Sequence, residues 1–324
     1  MNFNNHKKSI LIGLTAFIIG GLCVYLYHGH EYEYNLDFSQ DRFTDEYEFI
    51  SPLLECDSFE SKELNSFDEG IYESASLLME NGSIDDLSYY FRDLNNGVWV
   101  GLNEEEEFAP ASLMKLPLMI SYLKQSEDDP SVLKQSYTFN IEDDNYGKQN
   151  IVPEELMSIG IPYTVEDLIF RMIAYSDNSA LRILLKNSGT FGLRVFNDLS
   201  IELPEDQSNE DFMSVRTYSK FFRILYNGSY LNFANSDEAL RILSNTQYKD
   251  GIVSGVPEDI VVAHKFGERE NNGIIQLHDC GIVYHPDKPY VLCIMTRGSD
   301  INKMSSAISY LSEYTYKEVS NSFK

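Results

Sequence analysis

Across 324 residues, acidic side chains outnumber basic ones 51 to 25, for a net charge of −26. Nucleic-acid binding needs clustered Lys and Arg, so this balance excludes it as the expected partner class and describes a solvated acidic surface. The length, with 43% hydrophobic and 13% aromatic residues, supports one large domain or a large plus a small one, and no period of 20–50 residues points to a repeat fold.

Residues 1–8 end in Lys7 and Lys8, and residues 9–27, Ser9 to Tyr27, then run without a charge. As a helix, that stretch spans about 28 Å, close to the hydrocarbon thickness of a bilayer. The flanking lysines predict a single-pass plasma-membrane helix with a cytoplasmic N-terminus and everything after Tyr27 outside. A cleaved signal peptide needs a small-x-small site, which Leu22-Cys23-Val24-Tyr25 does not offer. Residues 28–65 are acidic and aromatic and read as an extracytoplasmic linker, in which Phe49 to Leu54 is expected to dock on the domain that fills 66–324.

Within that domain, Ser66-Phe67-Asp68-Glu69 reads as a capping box. Ile71, Ala75, Leu78 and Met79 then mark a helical face that ends at Gly82. Leu87–Asp93 and Val98–Leu102 read as strands joined at Asn95-Asn96-Gly97. An apolar helix opens near Ser112, and residues from about 125 to 245 read as helix and loop, with helices from Thr164 and over Tyr218–Tyr226. Strand patterns return at Ile260–Phe266, Ile274–Tyr284 and Tyr290–Thr296, and Asp300 caps a last helix through Ile301, Met304, Ile308 and Leu311. Strands at both ends with helices between them predict an α+β fold in which distant segments share one sheet and the helical middle forms its own lobe. On the expected hairpin, Cys280 and Cys293 fall nearly opposite, which allows either a disulfide or two buried thiols.

Three short motifs fall in order along this framework: Ser112-Leu113-Met114-Lys115, Ser176-Asp177-Asn178 and Lys265-Phe266-Gly267. A serine hydroxyl needs a base within hydrogen-bond reach, and Lys115 follows one helical turn later on the same face. It serves as a base only if burial or a nearby cation, such as Lys265, lowers its pKa. A helix N-terminus at Ser112 would also aim its backbone N–H at a developing oxyanion. Each motif is individually weak. Ser131–Lys134 repeats the first and Lys249-Asp250-Gly251 the third, but only one set combines order, spacing and setting. No C-x-x-C or H-E-x-x-H occurs, so neither metal nor cofactor is expected, and His264 and His278 read as packing or hydrogen-bonding residues rather than ligands.

Leu87–Leu123, Tyr163–Leu185 and Ile242–Gly298 resemble the class A β-lactamases and their penicillin-recognising relatives, over roughly residues 70 to 315. The resemblance implies a β-lactamase/transpeptidase-like fold: an antiparallel sheet flanked by helices plus an all-α lobe, with the site between them. It implies an acyl-enzyme at Ser112, with Lys115 as base and the N–H groups of Ser112 and Glu268 as oxyanion donors. Ser176 would pass a proton to the leaving nitrogen. Asn178 would bind substrate and orient Lys115, and Lys265 with Gly267 would receive the substrate carboxylate. The substrates implied are β-lactams or D-Ala-D-Ala-type wall peptides; the alternative is a weak or inactive envelope binding module. Two departures stand out. Phe266 replaces the family's threonine, and no E-x-x-L-N glutamate is visible, although Glu202, Glu205 and Glu210 fall where that loop is expected.

Overall fold

The computed structural model describes residues 48–50, 65–148, 151–204 and 210–321. The expected segments 1–8 and 9–27, and the linker apart from residues 48–50 and Asn65, lie outside the described residues. Among those described, no helix is long and apolar enough to cross a membrane.

Helix α1 (Asn65–Glu80) buries Ile71, Ala75 and Leu78, while Met79, expected on that face, is 40% exposed. It ends where Gly82 adopts a φ of 70° and Ser83 N–H reaches back to Leu78 O. Strands β1 (Asp86–Asp93) and β2 (Trp99–Leu102) pair across the Asn95-Asn96-Gly97 turn. After helix α2 (Lys115–Asp128), the short strands β3 (Ser136–Thr138) and β4 (Pro162–Thr164) form a two-stranded ribbon. Helix α3 (Val165–Ala174) starts on a capping box: Thr164 Oγ1 accepts from Asp167 N–H at 3.1 Å, and the Asp167 carboxylate accepts from Thr164 N–H. Its predicted face, Val165, Leu168, Ile169, Met172 and Ile173, is buried.

The lobe continues through α4 (Asn178–Asn187), the short α5 (Arg194–Asp198), α6 (Val215–Tyr226) and α7 (Phe233–Ser244). α6 starts at Val215, three residues before its predicted start at Tyr218, and Ser214 caps it. Strands β5 (Val262–Asn271), β6 (Ile274–Val283) and β7 (Tyr290–Gly298) follow, and α8 (Ile301–Asn321) starts where Asp300 Oδ1 accepts from Asn302 N–H and Lys303 N–H.

The five long strands form one antiparallel sheet in the order β2-β1-β7-β6-β5. Pairing of β1 with β7, Tyr89 opposite Ile294, joins the two ends of the domain, as the strand pattern predicts. Along β7, Tyr290, Leu292 and Ile294 enter one hydrophobic cluster with α1 and α8, and Val291, Cys293 and Met295 enter another with the lobe. This alternation buries both faces of the sheet and yields helix, sheet and lobe layers. Cys280 and Cys293 are register partners on β6 and β7 and form a disulfide. Upstream, Phe49 and Ile50 are buried: Phe49 N–H donates to Asp237 at 2.7 Å, and Tyr284 OH donates to Phe49 O at 2.9 Å.

Candidate active site

Ser112 lies not in α2 itself but in a 3-10 turn, Ala111–Met114, that runs into it. Ala111 enters this turn with a φ of 48°, a left-handed conformation that a non-glycine residue keeps only when its surroundings enforce it. Those surroundings are dense. Ala109 N–H donates to Gln276 Oε1 and Ala109 O accepts from His278 Nε2, both at 3.0 Å. Burial holds His278 down to about 4, so the neutral ring keeps Nε2–H aimed at Ala109. Phe108 forms a β-bridge with Met213, and Tyr218 OH donates to Leu113 O at 2.9 Å. Ser112 is half-buried and so open to a ligand. Its N–H lies in the first turn, where a helix has no internal acceptor.

Lys115, Ser176, Asn178 and Lys265 meet beneath this turn. Lys115 Nζ donates to Ser176 O at 2.5 Å, Asn178 Oδ1 at 2.7 Å and Ser176 Oγ at 3.0 Å. Lys265 Nζ donates to the same Ser176 Oγ at 2.9 Å and to Phe266 O at 2.8 Å. The three N–H bonds of Lys115 thus go to Ser176 and Asn178, not to Ser112 Oγ. Ser176 has a φ of 51°, and Asp177 caps α4 by accepting from Ser179 N–H and Ala180 N–H. Burial pulls Lys115 from the usual lysine range to about 7, against Asp177 and Glu268, which raise it. Burial is therefore the leading cause, rather than the neighbouring cation. Lys265 is also held well below its ordinary value, by burial first and by Lys115 second. Ser176 Oγ receives two N–H donors, which fills its lone pairs and leaves its own O–H to donate elsewhere.

β5 is an edge strand, so alternate N–H groups face away from β6. Tyr284 N–H donates to Val261 O, which makes odd-numbered β5 residues the hydrogen-bonded partners of β6. Two even positions agree: His264 O accepts from Thr246 Oγ1, and Phe266 O from Lys265 Nζ. Glu268 N–H accordingly points off the sheet edge. Gly267 brings that edge against the serine turn, since a Cβ there would lie 2.9 Å from Pro110 O and 3.0 Å from Leu113 Cγ. Together Ser112, Glu268 and the amine–hydroxyl cluster can support nucleophilic attack on a carbonyl and protonation of a leaving nitrogen.

Phe266 is 1% exposed, with its ring 4.5 Å from that of Tyr248 and 4.2 Å from Lys265 Nζ. It supports Lys265 from the side and gives the groove no hydroxyl. Glu210 forms an ion pair with Arg269, Glu202 is exposed and Glu205 lies outside the described residues. The duplicate of the first motif lies elsewhere: Ser131 and Lys134 are exposed in a 3-10 turn. Among the described residues, no group of three His, Cys, Asp or Glu could hold a metal ion. Sequence reasoning missed Ser176 O as a Lys115 acceptor and the buttress from Gln276 and His278. Both buttress residues could have been found by extending β5 through the Asn272-Gly273 turn, which sets His278 opposite Gly267.

A sequence model of the beta-lactamase enzyme family matches residues 73–319, well over half of the chain. The chain belongs to that family. It is a serine hydrolase acting on amide bonds, of the class A β-lactamase type. A carbapenem-hydrolysing β-lactamase KPC from Klebsiella oxytoca is 27% identical over 234 residues, covering 65% of this chain and 75% of the relative. A β-lactamase structure from Chitinophaga pinensis superposes with a TM-score of 0.67 at 19% identity, covering 79% of this chain and 100% of that one. A point mutant of PBP-A, solved as an acyl-enzyme complex with penicillin G, gives 0.64 at 21% identity, over 77% and 96%. These structural likenesses establish that the β-lactamase enzyme family member shares their fold.

Proposed function

We propose that this family member forms an acyl-enzyme at Ser112 with β-lactams or D-Ala-D-Ala-type peptides. The observation that carries the proposal is the convergence of Lys115 and Lys265 on Ser176 Oγ beside Asn178. Neutral Lys115 takes the proton of Ser112 as its oxygen attacks the carbonyl carbon. The N–H groups of Ser112 and Glu268 hold the oxyanion. The C–N bond then breaks, and the leaving nitrogen takes its proton from Ser176 Oγ, which is replenished from protonated Lys115. Lys265 receives a substrate carboxylate. The acyl group then awaits water. With Glu210 tied to Arg269, hydrolysis of that ester is expected to be slow, so the adduct should persist.

Residues 9–27 are proposed to anchor the chain in the plasma membrane with the hydrolase domain outside. The Cys280–Cys293 disulfide supports an oxidising compartment. Membrane fractionation and protease accessibility of intact cells test this, and a freely soluble full-length chain contradicts it.

Intact mass after incubation with a penicillin tests the chemistry. An adduct that is present on the wild-type chain and missing from Ser112→Ala supports the proposal, and its persistence separates a peptidase-like enzyme from a fast lactamase. The envelope binding-module reading, favoured by Phe266 and the missing glutamate, predicts no adduct with any acylating ligand.

A further inference from the structure

The groups that serve the leaving side of a substrate are covered. Lys265 is 0% exposed, Lys115 1% and Ser176 4%, whereas Ser112 is half-buried. A carboxylate therefore reaches Lys265 only after something moves aside, and residues 151–154 are placed to do so. Ile151 N–H donates to Glu268 Oε1 at 2.9 Å, and Glu268 Oε2 is buried. Farther along, Glu154 N–H donates to Gln247 Oε1 and Gln247 Nε2 donates to Val152 O, both at 3.0 Å. Pro153, between these anchors, is buried.

Gln247 is itself tied to both walls of the groove. Its N–H donates to Ala174 O at 2.8 Å, two residues before Ser176. Its neighbour Thr246 donates through Oγ1 to His264 O at 2.7 Å, one residue before Lys265. His264 and Glu268 lie about 13 Å apart along a strand, and three residues of chain reach about 10 Å. The segment from Ile151 to Glu154 therefore passes along Lys265–Gly267. The two bonds to Gln247 are at the exposed surface, where a hydrogen bond stabilises little, so the segment can open without unfolding the domain.

Resting on the acyl-serine reading, we propose that residues 151–154 are a strap over the leaving-group side of the groove, closed in this structure and lifted when an acyl donor with a carboxylate enters. Release of Ile151 from Glu268 uncovers Lys265. Acylation then proceeds from the open form, and its second-order rate is the intrinsic rate multiplied by the open fraction. Weakening the strap speeds acylation, the reverse of what the loss of a merely supporting contact does.

Gln247→Ala removes both strap bonds of that side chain. Two hydrogen bonds of ordinary net strength shift an opening equilibrium by about 10- to 30-fold, and the second-order rate of acylation by benzylpenicillin should rise by about that factor. Gln247→Glu keeps the acceptor for Glu154 N–H, loses the donor to Val152 O and should fall between. An unchanged or slower rate in Gln247→Ala overturns the strap; should that variant not fold, Gln247→Glu is read in the same way. Hydrogen exchange of the wild-type chain, followed by mass spectrometry, gives a reading that needs no variant. The amides of residues 151–154 should exchange by local opening at urea concentrations that leave β5 protected. Their exchange only together with β5 also overturns the strap. Failure of benzylpenicillin to label Ser112 in the wild type and in both variants counts instead against the acyl-serine reading, and hydrogen exchange then decides the strap alone.

Discussion

Lys115 and Lys265 lie 3.0 and 2.9 Å from the same Ser176 oxygen, and two ammonium groups that close repel where water is excluded. With Lys115 held to about 7, its neutral fraction grows as pH rises through 7. The acylation rate of the wild-type chain should therefore climb over about pH 6–8, and Lys115→Ala should show no such limb; stopped-flow acylation across pH checks both. The sign for stability follows from linkage. A lysine whose folded pKa lies below its unfolded value binds fewer protons folded than unfolded between the two. Its burden on the fold is full below about 7 and is relieved as pH rises toward 10.5. The ceiling is roughly 5 kcal/mol at 1.36 kcal/mol per pH unit. Lys115→Met should flatten the rise of unfolding free energy over that window, as read by urea denaturation at several pH values. Parallel curves for the two proteins would show that the amine is charged in the fold.

At the level of elements, the site depends on how near β5 comes to the serine turn. A methyl at position 267 would press on the backbone oxygen of Pro110 and on Leu113, and neither backbone can yield without moving Ser112. Gly267→Ala should cost about 1–3 kcal/mol of stability, as overpacking does, and should slow acylation by about 100-fold, since a 1 Å misplacement is enough for that. Retention of the full acylation rate in a destabilised variant would separate packing from positioning. These contacts also mark how far the sequence was legible. Apolar periodicity and the Thr164 and Asp300 caps located α3 and α8, and the hairpin at Asn95-Asn96-Gly97 was plain. β5 was cut short at Phe266 because Gly267, Glu268, Arg269 and Glu270 have no apolar alternation. Their partners across the ladder, Ile275 to His278, hold the strand in register. The edge that carries Glu268 N–H is thus specified by pairing, which a linear reading does not contain. The motifs named the four polar groups of the cluster. That Lys115 is bonded to Ser176 and Asn178 rather than to Ser112 emerges only when α2, the Ser176 loop and β5 are packed together.

On the scale of the whole molecule, the sheet draws its strands from both ends of the domain, and the contact with Phe49 and Ile50 extends the folded unit beyond α1. Phe49 is held by Asp237 at its N–H and by Tyr284 at its O, with its ring edge-on to Tyr284 at 5.6 Å. Ile50 is 3% exposed. Burying two such side chains contributes about 1.5–3 kcal/mol each, offset by the entropy of ordering the chain, about 1–2 kcal/mol per residue for the backbone. For residues 48–50 these two terms nearly cancel, and the two hydrogen bonds of Phe49, at about 1 kcal/mol each, leave a net of about 2 kcal/mol. A chain beginning at Glu48 should therefore be more stable to urea by about that amount than one beginning at Asn65. Phe49→Ala in the longer chain should forfeit most of the gain, because it removes the ring that covers Tyr284. Asp237→Ala should lose less, since one hydrogen bond contributes about 1 kcal/mol. The slope of free energy against urea should rise only slightly in the longer chain, because the added surface is small beside that of the whole domain. Identical midpoints for the two chains would mean that the contact returns no more than its ordering costs, and the folded unit would then begin at α1.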